Sequence, residues 1–112
     1  MESTPAEQLD ALFEIFCSGE TLTYHHQFKL LKPIRDGIWE LKTPDLRLFG
    51  WFPIKDCFIG GALDLAFNVK KYGLYAGYIG EVVRLRDKLD LDEPKFVAGE
   101  DPNAVVSNCD FP

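Results

Sequence analysis

Apolar residues recur at helical spacing toward both ends of the chain and alternate in its middle. Leu9, Leu12, Phe13 and Phe16 fall at i, i+3, i+4 and i+7, while Glu7, Asp10 and Glu14 face away. The spacing predicts an amphipathic helix over about 5–17. Thr4 suits its N-cap, Pro5 its first turn, and Glu7 completes a capping box; Ser18-Gly19 ends it. A second stripe, Tyr75, Tyr78, Ile79, Val82 and Val83, extended by Leu89, predicts a helix over about 74–89. Gly77 and Gly80 weaken that helix by roughly 1 kcal/mol each relative to alanine, so it depends on packing.

Between the helices the period changes to two. From Ile38 to Lys42, Trp39 and Leu41 take one face, Glu40 and Lys42 the other. Thr43-Pro44-Asp45 reads as a turn, and Leu46 to Phe52 as a second strand stopped by Pro53. After a turn at Pro53–Asp56, a third strand runs from Cys57 to about Phe67. Gly60-Gly61 within it suggests a bulge or a close backbone approach. Such short connections make an antiparallel meander. Residues 22–31 are apolar but fit a short helix only loosely. The pattern predicts an α+β fold, a small antiparallel sheet with packed helices, over residues 1–89. Residues 90–112 read as an acidic, irregular tail. It is expected to lie disordered or to fold across the basic body and mask it, with Val105 and Val106 able to dock.

Composition narrows the class. The chain has 112 residues, 46% hydrophobic and 27% charged, which suits one small globular domain. No apolar run approaches the ~18 residues of a spanning helix, and no basic start precedes an apolar stretch. The expectation is a cytoplasmic protein with no membrane partner. Three widely spaced cysteines, Cys17, Cys57 and Cys109, form no CxxC pair and are expected as reduced thiols, two of them buried.

Net charge is −6, unevenly spread. Residues 1–23 carry five acids and no base; residues 24–88 carry eleven Lys or Arg against seven acids; residues 89–112 carry six acids and one lysine. A mildly basic body between acidic ends can meet a polyanion. Phosphate-loop, zinc-protease, calcium-loop and nucleophile-elbow motifs are all absent, so no cofactor and no metal are expected. His25-His26 reads as a surface or capping pair.

One block carries a functional signal. Leu31-Lys32-Pro33-Ile34-Arg35-Asp36-Gly37-Ile38-Trp39-Glu40-Leu41-Lys42 leads into a strand, and Leu46-Arg47-Leu48-Phe49 follows with one central arginine. Val69-Lys70-Lys71 leads into the last helix. Over roughly residues 28–88 this resembles the RelE/HigB superfamily of bacterial toxins, especially its phage-derived, prophage-associated HigB-type branch. The resemblance implies a RelE-like fold and a toxin of the toxin–antitoxin kind. It implies a metal-independent endoribonuclease cutting mRNA on the ribosome, neutralised by an antitoxin protein, with no DNA binding of its own. It would place Arg47, Lys70, Lys71, Tyr72 and Tyr75 in catalysis, and Lys32, Lys42 and Arg84 in RNA binding. Alternatives stay open for each: Arg47 paired to Glu40 across the hairpin, Lys70-Lys71 as a solvated pair, Tyr75 and Tyr78 as core or rim aromatics. The rival function is a non-catalytic, phage-derived protein-binding or inhibitor module on the same fold.

Overall fold

The computed structural model describes residues 4–32 and 36–110. Helix α1 spans Pro5–Ser18, followed by strands β1 (Leu22–Thr23), β2 (Phe28–Leu30), β3 (Trp39–Lys42), β4 (Leu46–Ile54) and β5 (Cys57–Leu65). Helices α2 (Ala66–Tyr72) and α3 (Tyr75–Lys88) come next, then a 3-10 turn at Pro102–Ala104 and strand β6 (Cys109–Asp110). The fold is mixed α+β. The lead-in residues 33–35 of the toxin-like block lie outside the described residues.

Local signals explain most of the elements. Thr4 caps α1 and forms the full capping box with Glu7, and Gly19 ends the helix in the left-handed conformation at φ 79°. Strands β2-β3-β4-β5 form one antiparallel sheet in that order. In β4–β5 the register passes from Phe49↔Ala62 to Gly50↔Gly60, so Gly61 is the extra residue of a bulge. Strands β1, β2 and β6 and helix α2 are not expected from the sequence. The ambiguous stretch 22–31 supplies β1 and β2, and the end of the expected third strand turns into α2, closed by Gly73 at φ 61°.

Both faces of the sheet are packed. Trp39 and Leu41 point with Phe28, Leu30 and Phe52 toward α1, whose Leu12 joins the same core. Phe49 and Trp51 point the other way, against Val69 of α2 and Ile79 and Val82 of α3. The molecule is therefore three layers deep, and the face carrying Glu40 and Lys42 is not a solvent face. Glu40 is 2% exposed.

The C-terminal segment is part of the body. Val105 and Val106 are buried in the first core. Asp56 N–H donates to Val105 O at 2.7 Å and Val97 N–H to Phe52 O at 2.8 Å. Strand β6 pairs parallel with β1. The expected disorder, or folding across the basic body, gives way to docking beside α1. The cysteines also depart from expectation: Cys17 and Cys57 are exposed, and Cys109 is half-buried. No helix among the described residues is long and apolar enough to cross a membrane.

Candidate functional site

The register sets two charged rows on the α3 side of the sheet. Lys29 lies opposite Glu40, and Glu40 opposite Phe49. Lys42 lies opposite Arg47, and Arg47 opposite Asp64. Cross-strand partners share a face, so these side chains converge under the start of α3. Asp64 is occupied there: its carboxylate accepts from Tyr78 O–H at 2.6 Å, Asn68 at 3.2 Å and Leu65 N–H at 2.7 Å. The Tyr78 hydrogen bond leads in holding the Asp64 carboxyl below its ordinary pKa.

Arg47 is buried rather than projecting. Its Nη1 donates to Thr43 O at 2.7 Å and to Leu46 O at 2.8 Å, clamping the β3–β4 turn. Its buried Nε has no hydrogen-bond partner among the described residues, nor has Glu40 Oε2. The direct cross-strand partner of Arg47 is Lys42, not Glu40. Glu40 sits one pair along and feels Arg47 as a nearby positive charge.

Tyr75, the first residue of α3, joins these groups. Its hydroxyl interacts with both Glu40 and Arg47, and its ring stands edge-on to Phe49 at 5.7 Å. Burial pushes the Glu40 carboxyl above its ordinary pKa, against the opposing pull of Lys42, Arg47 and the Tyr75 hydroxyl. Burial also raises the Tyr75 phenol, and the Glu40 charge adds to it. Burial lowers the Lys42 ammonium; Glu40 opposes this, while Arg47, Lys29 and Lys70 reinforce it. Lys42 Nζ donates to His25 O at 2.9 Å.

Two clefts meet at this cluster. One, of about 420 Å³, is lined by His26, Gln27, Lys42, Thr43 and Arg47, with Leu12 and Ile15 of α1 on its apolar wall. The other, of about 390 Å³, is lined by Lys29, Lys32 and Tyr75. They share no lining residue, but Arg47 of the first interacts with Tyr75 of the second, and Lys42, Arg47, Lys29 and Lys32 make the stretch they span a basic track. No residue of 90–110 lines either cleft, so the described part of the tail does not mask them.

The structure thus gathers Arg47, Tyr75, Lys42 and Lys32 around the track, with Lys70 exposed and within electrostatic range of Lys42. It does not bring in the others. Lys71 Nζ stands 5.3 Å from the Phe67 ring centre and 5.4 Å from that of Tyr72, in an exposed patch of α2. Arg84 is exposed farther along α3, beside Gly80. Glu40 was not among the site residues the sequence pointed to, because alternation put it on a polar face. The available signal was the apolar stripe of residues 75–83, which required a sheet face to cover.

Compared with protein-family models, curated proteins and solved structures, the chain gives no significant match.

Proposed function

We propose that this protein is a toxin-type, metal-independent endoribonuclease of the RelE/HigB kind, cytoplasmic, acting on mRNA at the ribosome and neutralised by an antitoxin. One observation carries the reading: Tyr75 links a buried carboxylate of raised pKa to an arginine in the middle of a basic track. Buried ionisable groups with perturbed pKa values are concentrated at functional sites, which supports this reading.

The chemistry follows from the environments. Arg47 and Lys42 hold the scissile phosphate in the first cleft and neutralise the charge of the phosphorane. The 2′-hydroxyl attacks phosphorus and its proton passes to the Tyr75 oxygen, while Tyr75 passes its own proton to Glu40. Lys42, made a stronger acid by burial, protonates the departing 5′-oxygen. The products are a 2′,3′-cyclic phosphate and a 5′-hydroxyl. Lys29 and Lys32 receive the neighbouring phosphates.

The test is cleavage of mRNA on translating ribosomes, with growth arrest on induction as the cellular readout. Tyr75→Phe and Glu40→Gln should each lower the rate by roughly 10²–10⁴-fold. Arg47→Lys keeps a charge beside Glu40 but loses the planar two-point contact, and should remove about 2–4 kcal/mol of transition-state stabilisation. The pH–rate profile should be bell-shaped. Its acid limb, from Glu40, lies above the ordinary carboxyl value, its basic limb, from Lys42, below the ordinary lysine value, and Glu40→Gln removes the acid limb. A wild type that neither cleaves RNA nor arrests growth sinks the proposal. The second reading, a non-catalytic protein-binding module on the same fold, is favoured by the apolar residues left uncovered on β5, Leu63 and Leu65.

A further inference from the structure

The two faces of the sheet are covered to different extents. On the α3 side the cover reaches β5, where a Cβ on Gly61 would meet Leu85 at 3.1 Å and Val82 at 3.2 Å. On the α1 side, α1 and residues 97–110 cover β2, β3 and the Phe52 end of β4, pack partly on Leu48 and Phe58, and leave the C-terminal half of β5 outside that core. Leu63 and Leu65 emerge on this side, paired with Leu48 and Leu46 in register. They are 49% and 44% exposed, and Phe13 of α1, on the same side of the sheet, is 38% exposed. An open groove of about 500 Å³ runs under α1, with Phe13 and Cys17 on its helix wall and Leu48, Phe58 and Asp56 also in its lining; it adjoins β5 through Leu48, the cross-strand partner of Leu63.

Three occupants compete for it. An added strand fits poorly, because the free edge of β5 is blocked at its C-terminal end and interrupted at its middle. The Asp64 carboxylate takes the Leu65 N–H at 2.7 Å, and the Gly61 bulge breaks the ladder. A second copy would set one acidic α1 against another in an isologous contact. A helix of opposite charge fits. Asp10 and Glu14 lie at i, i+4 beside Phe13 and Cys17, an arrangement of like charges that weakens an isolated helix. The last turn of α1 carries no base to suit its dipole, and residues 1–23 hold five acids and no base.

We infer that this groove docks a basic amphipathic helix of a partner protein. The partner's apolar stripe lies on Leu48, Leu63, Leu65 and Phe13, and its Lys or Arg flank meets Asp10 and Glu14. This inference stands apart from the RNA-cleaving reading, since the groove is on the opposite side of the sheet from Tyr75 and Glu40.

The test titrates the full chain with two designed helices of about 18 residues, one patterned from Leu and Lys and one from Leu and Glu. That length, at about 1.5 Å per residue, matches a nine-residue strand. Binding is read by amide chemical shifts and by peptide anisotropy. The Lys helix should bind saturably and shift Phe13, Leu48 and Leu63; the Glu helix should not bind. Leu63→Gln with Leu65→Gln, at half-exposed and therefore tolerant positions, should weaken binding at least tenfold. Asp10→Lys with Glu14→Lys should transfer the preference to the Glu helix. Equal binding of both helices, or Lys-helix binding unchanged by the Gln pair, overturns the inference. So does a concentration-dependent dimer that the Gln pair dissolves, which would give the groove to a second copy.

Discussion

Glu40 is held where a carboxylate is costly. It is buried, one oxygen lacks a partner among the described residues, and its pKa is raised in spite of three cations around it. A raised carboxyl pKa means that the folded protein binds the proton more tightly than the unfolded chain. Stability contributed by that proton is full below the ordinary glutamate value of 4.5 and falls as pH rises through the folded value. Glu40→Gln, a neutral mimic of the protonated acid, should therefore raise the melting temperature at pH 7, by roughly 4–8 °C for each kcal/mol gained. The gain should vanish near pH 4. The same variant should be inactive, so thermal melts at both pH values beside the cleavage assay separate a functional carboxylate from a structural one. A loss of stability at pH 7 would show that the charged form is the favoured one.

The β4–β5 hairpin and α3 show how an element can depend on the absence of a side chain, or merely tolerate it. At Gly50 a Cβ would sit 1.9 Å from the Ile59 carbonyl oxygen, inside the backbone of the neighbouring strand. Gly50→Ala should break the hairpin, which bears Phe49, Trp51 and Phe52 into both cores, and the chain should lose its cooperative urea transition. At Gly77, on α3, a Cβ would meet nothing within 4 Å. Gly77→Ala should instead stabilise the protein by about 0.5–1 kcal/mol, because the helix regains propensity at no steric cost. Chemical denaturation of the two variants side by side checks both signs. The Tyr75 position benefits too, since α3 presents its hydroxyl to Glu40.

At the scale of the whole molecule, the C-terminal segment decides stability. Pro102, Val105 and Val106 are buried, and the Val105 carbonyl ties the segment to Asp56 in the β4–β5 turn. Cutting the chain after Leu89 should expose Phe52 and Leu22 and leave a molten or unfolded product, seen as lost near-ultraviolet dichroism. Val105→Ala, with two buried carbons removed, should cost roughly 2 kcal/mol. A truncated chain with a native-like melt would show that residues 90–110 only decorate the fold. The basic track lies away from this segment, so Val105→Ala should not change RNA affinity in the folded state.

What the sequence determined by itself was local. Capping residues and the 3.6-residue period located α1 and α3 to within a residue or two, and alternation with the Gly60-Gly61 pair located β3, the start of β4 and the bulge in β5; Pro53, expected to stop β4, lies inside it, because the strand continues to Ile54. These signals work because they act over a few neighbouring residues. It also pointed to Arg47, Tyr75, Lys42 and Lys32 singly, through residue type and resemblance. Only the tertiary structure decided that they share a track, that Glu40 completes it, and that Lys71, Tyr72 and Arg84 stand elsewhere. Alternation says which residues share a face but not whether another layer covers it. Here α3 returns across that face and turns an ordinary strand glutamate into a buried one. The β1–β6 pair likewise joins segments from opposite ends of the chain, and its two residues per strand carry no periodicity that a local reading can detect.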